Sequence, residues 1–206
     1  MDVAVCISGE FRGNTELCME SIRKYLPYDQ FEHTWADTPI PELPSMETFI
    51  LAFNTWIACL PPNNPTRIWF TRKLDSGKRF HERIYQVYNH WHCMQQVPEH
   101  YDMIIRVRPD VVLYEHNWQR DLESAHFNDF VIGYGSGQGP RVGVTERFAA
   151  DHVIMHRRYR MRNPYETLLP SSGHVAWWVC LHKHIDEQFI NNDSVCKLER
   201  NIDTLQ

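Results

Sequence analysis

Residues 101–114, Tyr-Asp-Met-Ile-Ile-Arg-Val-Arg-Pro-Asp-Val-Val-Leu-Tyr, constrain the fold of this chain more than any other stretch. The run is the most apolar and most β-branched in the sequence, yet two arginines, a proline and an aspartate interrupt it. Met103 to Val107 reads as a buried strand. Arg106 and Arg108 stand two residues apart, so both point to one face if the strand stays extended. Pro109 cannot donate to a sheet ladder and ends the strand or starts a bend. Asp110 then falls at the carboxyl end of a central strand, where open α/β sheets bind ligands. Charges near a core need partners. Two arginines beside one aspartate suit a phosphate-bearing ligand, with or without a divalent metal. They equally suit a structural Arg–Asp pair that pins the strand end, and the run alone leaves both readings open.

The N-terminal stretch repeats the same logic. Val3 to Ile7 is a short β-type run, followed by Ser8-Gly9-Glu10-Phe11-Arg12-Gly13 and by Asn14 or Thr15 as a helix cap. Leu17, Ile22, Tyr25 and Leu26 offer the helix an apolar side, and Pro27 stops it. Strand, glycine loop and helix open a nucleotide-binding α/β unit, because glycine lets the backbone approach a ligand and a helix N-terminus favours an anion. Phe31 to Trp35 is a second strand. Met46 to Leu60 is a helix candidate that Pro61, Pro62 and Pro65 break, and Arg67 to Thr71 reads as a strand before a turn at Asp75-Ser76-Gly77. Lys78 to Gln96 is the clearest helix, with Phe80, Ile84, Val87, Trp91 and Met94 at three- and four-residue steps. A helix feeding the 101–114 strand continues the α/β rhythm.

Downstream, Asp129 to Tyr134 reads as a strand and Gly135 to Pro140 as a glycine-rich ligand loop or plain connection. His156-Arg157-Arg158-Tyr159-Arg160-Met161-Arg162 is the densest basic run. It suits a polyanion or ligand phosphates, or a solvated helix face. Val175 to Leu181 is apolar and carries Trp177 and Trp178. His182 and His184, one residue apart, share one side of a strand and form a metal-ligand candidate or a surface pair.

The whole chain has 206 residues, 43% hydrophobic and 23% charged, enough for one core with or without an appended lobe. Its net charge of -5 excludes nucleic-acid coating by bulk charge, though not a local basic patch. Six cysteines, at 6, 18, 59, 93, 180 and 196, form no CxxC pair and no zinc-finger spacing. Buried free thiols, no leader before the first strand and no apolar run of about 18 residues point to a cytoplasmic protein without a membrane span. There is no P-loop, no HExxH and no internal repeat.

Four stretches together resemble a family of small glycosyltransferase-like proteins of bacteria and viruses, including bacteriophages. Val3 to Arg12 resembles its "strand–SGxxR" opening, Phe31-Glu32-His33-Thr34-Trp35 its second strand, and Tyr101 to Asp110 its "YDxxxRxRPD" segment. Glu146-Arg147-Phe148 resembles a later "DRF" element with glutamate for aspartate. The resemblance covers most of residues 1 to about 160, and the RxRPD segment is the most specific part. It implies a single Rossmann-like α/β domain of the GT-A type with a mostly parallel central sheet. Residues 1–115 would form the nucleotide-sugar-binding part and 116–206 the acceptor-side part. Such folds hold Mn2+ or Mg2+ with an Asp-x-Asp motif, which this chain lacks; Arg-Pro-Asp stands there instead.

The resulting expectation is transfer of a sugar from a nucleotide-sugar donor to an acceptor hydroxyl. Ser8, Gly9, Arg12, Arg106 and Arg108 would hold the donor diphosphate. Asp110 would hold the metal, with His182 or His184, or the donor sugar; without metal, the arginines would neutralise the leaving group. Glu146, Asp151 and His174 are candidate bases. Arg157, Arg158, Arg160, Trp177 and Trp178 are acceptor-binding candidates, for a flipped hydroxylated base of viral DNA or for a saccharide or lipid-linked glycan. A non-catalytic nucleotide-sugar or nucleic-acid binding module on the same fold is the second hypothesis. A PD-type nuclease is the third, and it lacks the Glu-x-Lys that should follow Asp110.

Overall fold

In the computed structural model, the described residues are 1–37, 85–135, 152–167, 180–181, 189–192 and 196–198, with 51, 62 and 63. Strand β1 runs over Val3–Gly9, helix α1 over Thr15–Tyr25 and β2 over Asp29–Thr34. Helix α2 follows at Tyr85–Gln96, then β3 at Met103–Val107 and β4 at Val111–Leu113. Helix α3 spans Trp118–Asn128, followed by β5 at Val131–Tyr134 and β6 at Val153–Arg157. Strands β7 and β8 cover Phe189–Asn192 and Cys196–Leu198.

Six of these strands form one sheet in the order β2-β1-β3-β6-β5-β7, while β4 and β8 pair apart from it. β1 is parallel to β2 and β3, and β5 is parallel to β7. β6 is antiparallel to both its neighbours, β3 and β5. Five strands therefore run one way and β6 alone runs against them. This is the mostly parallel α/β sheet that the sequence predicts.

The pleat sorts the side chains of β1 and β3. Val3, Val5, Ile7, Met103, Ile105 and Val107 face α1 and α3, meeting Met19, Ile22, Trp118 and Leu122. Ala4, Cys6 and Ile104 face the other way, onto Val87, Tyr88, Cys93 and Met94 of α2. Both faces are covered, which explains the unbroken apolar reading of both strands.

Asn14 caps α1, its side chain accepting from the Leu17 amide at 3.2 Å. That cap sets a helical phase in which Cys18, Met19 and Ile22 turn inward. Leu17, expected on the apolar side, is exposed instead. It lies five residues from Ile22, well round the helix from it. The second strand begins two residues before the expected Phe31 and gives way to a 3-10 turn at Trp35–Asp37. Of the helix expected over Lys78 to Gln96, Tyr85–Gln96 is described and helical. The candidate helix at Met46 to Leu60, the strand at Arg67 to Thr71 and the loop at Gly135 to Pro140 lie, apart from single residues, outside the described residues.

Candidate functional site

The chain leaves β1 through α1 to β2 on one side, then returns by α2 to β3 on the other side of β1. α1 and α2 pack on opposite faces of the sheet. The strand order thus reverses between β1 and β3, and their carboxyl ends form a topological switch point, the place where sheets of this kind build a ligand crevice. Two loops form its walls: residues 10–14 after β1 and residues 108–110 after β3.

These loops touch at Gly9 and Pro109. Gly9 has φ +149, and a Cβ there would lie 2.9 Å from Pro109 Cδ. A side chain would drive the two walls apart, so this position needs glycine. The role expected for Gly9, close approach to a ligand, has a second explanation in this contact with Pro109.

Asp110 sits at the base of the crevice and is 6% exposed. Arg108 grips it with a fork, Nε donating to Oδ1 and Nη2 to Oδ2, both at 2.8 Å. Arg12 adds a third bond from the opposite wall, Nε to Oδ2 at 3.2 Å. Arg12 Nη1 donates in turn to Glu10 Oε2 at 3.0 Å. Burial pushes the Asp110 carboxyl up, but the bonds and charges of Arg108, then Arg12, outweigh it and hold the group below the usual carboxylate range. Asp110 is therefore a carboxylate at neutral pH. The Arg108 amide donates to the His152 carbonyl and the His152 amide to the Tyr134 carbonyl, each at 3.0 Å. These bonds tie the loop to the strand ends beyond it.

Arg106 does not join this group, contrary to the same-face expectation. It is fully buried on the α2 side, its Nη2 donating to Gln86 Oε1 at 3.3 Å and to the Ser8 carbonyl at 3.5 Å. The strand stops at Val107, and the turn at Pro109-Asp110 lets Arg108 fold back on Asp110. The Ser8 hydroxyl is buried beside Arg106's layer, without a hydrogen-bond partner among the described residues.

Beneath that layer lies a histidine pair that sequence reasoning missed. His90 Nε2 and His156 Nε2 are 3.0 Å apart, both residues fully buried. His156 Nδ1 is 2.9 Å from the Arg157 carbonyl, so it carries the proton there. His156 Nε2 is then the acceptor and His90 Nε2 the donor. Burial keeps both imidazoles neutral. It lowers His90 well below its ordinary value, with His156 and Arg106 adding to the effect. Burial, reinforced by Arg160 and opposed by the Arg157 carbonyl, takes His156 to about 4. The signal was present in the helical phase: His90 lies on the face that Val87 and Met94 share.

The basic run sits elsewhere. β6 runs against β3, so its last residue, Arg157, pairs with Met103, the first residue of β3. The run lies at the amino end of the sheet, about 13 Å along β3 from the crevice. It forms a strand end and a 3-10 turn rather than a helix face. Arg158 donates to the carbonyls of Val97 and Pro98 at 2.8 Å and of Met94 at 3.4 Å, closing the end of α2. Arg157 Nη1 donates to the His126 carbonyl at 3.0 Å near the end of α3. Arg160, 7% exposed, binds the Asp129 carboxylate at 2.7 and 3.0 Å and its carbonyl at 2.8 Å. These three arginines clamp the ends of α2 and α3, at the end of the sheet away from Asp110.

Glu146, Asp151, His174, Trp177, Trp178, His182 and His184 lie outside the described residues. Among the described residues, no three His, Cys, Asp or Glu side chains gather where they could hold a metal ion. The donor set at Asp110 does not fit a divalent cation. A carboxylate has about four lone-pair positions, and guanidinium N–H groups occupy three of them. A dication about 4 Å from a single guanidinium would be repelled by about 8 kcal/mol at an effective dielectric constant of about 20.

No protein-family model matches this chain. No curated protein matches it either. Among solved structures, A197 from STIV is similar over 95% of this chain and 83% of its own, with a TM-score of 0.44 and 7% identity. A glycosyltransferase involved in the glycosylation of the major capsid of PBCV-1 is similar over 94% of this chain and 82% of its own, with a TM-score of 0.40 and 10% identity.

Proposed function

We propose that this chain is a GT-A-type glycosyltransferase that binds a nucleotide-sugar in the crevice between β1 and β3. One observation carries the reading. A buried carboxylate at the topological switch point holds two arginines from opposite walls, with the N-terminus of α1 just beyond. The local resemblance of the SGxxR and RxRPD stretches points to the same two loops.

In the reaction, the bond between the anomeric carbon and the donor diphosphate breaks, and its electron pair leaves with the diphosphate. An acceptor oxygen bonds to that carbon and gives its proton to a base. Arginine charge at the crevice favours the leaving group as its charge develops. Glu146, Asp151 and His174 stay the candidate bases, and Trp177 and Trp178 the candidate acceptor contacts. Residues 1–115 supply the donor side and 116–206 the acceptor side. A saccharide or lipid-linked glycan is the favoured acceptor over a hydroxylated DNA base, because the basic run is bonded to helix ends away from the crevice. The five described cysteines are free and buried, in keeping with a reducing, cytoplasmic setting. No helix among the described residues is long and apolar enough to cross a membrane.

The experiment is release of nucleoside diphosphate from a panel of nucleotide-sugars, with and without candidate glycans. Turnover of one donor, lost in Arg12→Ala, is the expected result. Binding of a donor without any turnover would instead identify a nucleotide-sugar binding module.

A further inference from the structure

We infer that the crevice holds a nucleoside diphosphate without a divalent cation, Arg12 contacting the phosphates and Asp110 positioning Arg12. This rests on the nucleotide-site reading above and specifies how that site handles charge. Arg12 is gripped on two sides, Nε by Asp110 at 3.2 Å and Nη1 by Glu10 at 3.0 Å. Its Nη2 has no partner among the described residues, and the side chain is 45% exposed. The guanidinium is therefore fixed in orientation with one donor turned toward solvent.

Asp110 is itself immobilised from the inner side by the Arg108 fork. A guanidinium held this way is ready to bond phosphate oxygens without reorganising. The first turn of α1, capped by Asn14 two residues after Arg12, adds partial positive charge at the same wall.

A cation would compete for the same atoms. The three guanidinium bonds leave Asp110 one lone-pair position, on Oδ1, and a cation there would lie beside the Arg108 guanidinium that repels it. The further ligands it would require are not gathered among the described residues. Arginine and cation thus compete in charge at one carboxylate, and the guanidiniums hold three of its four positions. Asp110 is then a positioning residue rather than a metal ligand.

The test is calorimetric binding of UDP, GDP, ADP and dTDP, and of the parent nucleosides, to the full chain in excess EDTA and in Mn2+. One diphosphate is expected to bind in EDTA with an affinity within about twofold of that in Mn2+. Arg12→Ala, at an exposed position that leaves the fold intact, should weaken that diphosphate by about tenfold or more without changing the parent nucleoside. Asp110→Asn should weaken the diphosphate by the same factor in EDTA and in Mn2+, again sparing the nucleoside. A merely structural aspartate would weaken both ligands alike, and that result would overturn the positioning role. Binding that appears only with Mn2+ would overturn the inference while leaving the nucleotide site standing. No binding of any diphosphate under either condition would overturn the nucleotide reading itself.

Discussion

Two arginine-rich regions of this molecule look alike in sequence and differ in what most of their guanidinium donors bind. At the crevice, Arg12 and Arg108 converge on one carboxylate, and Arg12 keeps a donor turned to solvent. At the opposite end of the sheet, Arg157, Arg158 and Arg160 bond main-chain carbonyls at the ends of α2 and α3. The first arrangement leaves one guanidinium donor available to a ligand; the second uses its donors to finish helices. Local density of basic residues therefore does not indicate a binding site. What matters is whether the guanidinium donors are already taken up by groups of the protein itself.

The sharpest way to break this comparison is Arg108→Ala. It leaves Asp110 buried with only the Arg12 bond, and chemical denaturation should show a loss of about 3–4 kcal/mol. Adding Asp110→Asn should recover part of that loss, because the uncompensated charge is gone. Recovery of nothing would mean that Arg108 matters for packing alone.

A similarly large effect is expected on acidification. His156 titrates at about 4 in the folded protein and near 6.5 when unfolded, so the unfolded chain binds more protons between those values. Stability should therefore fall from pH 6.5 to 4, by up to roughly 3 kcal/mol. Asp110 and Asp129, both held below their ordinary range, contribute stability that is lost only at still lower pH. For Asp110, burial works against this and Arg108 and Arg12 prevail; for Asp129, burial is likewise outweighed, chiefly by Arg160. His156→Gln should make the upper window shallower, the share of His90 remaining, and leave the lower one. An unchanged slope between pH 6.5 and 4 would place the acid sensitivity elsewhere.

The clamp should respond next. Arg160→Ala removes charged hydrogen bonds worth about 1.5–3 kcal/mol of stability, with no change in nucleoside diphosphate affinity. A matching loss of affinity would join the two regions into one functional unit. Smallest of all, Glu10→Gln should change stability by less than about 0.5 kcal/mol, since it removes an exposed ion pair. Its effect on diphosphate affinity measures how much Glu10 contributes to aiming Arg12.

Local chemistry alone determined a good part of this protein. The apolar, β-branched run of Met103 to Val107 predicted β3 with its observed bounds, and Pro109 predicted its end. A cap at Asn14 or Thr15 predicted the start of α1, the structure choosing Asn14, and the apolar steps of 87, 91 and 94 predicted the phase of α2, with Trp91 half-buried. The placing of Asp110 at the carboxyl end of a central strand followed from the same signals. All of these depend on neighbours a few residues away.

The tertiary structure decided what depends on strand order and direction. Only the antiparallel course of β6 sends the basic run to the far end of the sheet and brings His156 against His90. Only the turn at Pro109 separates Arg106, buried under the sheet, from Arg108, folded onto Asp110. Gly9 meets Pro109 across 100 residues of chain because β1 and β3 lie side by side. No window of local sequence contains both partners of such contacts, since they are selected by which strands share a sheet and which way each one runs.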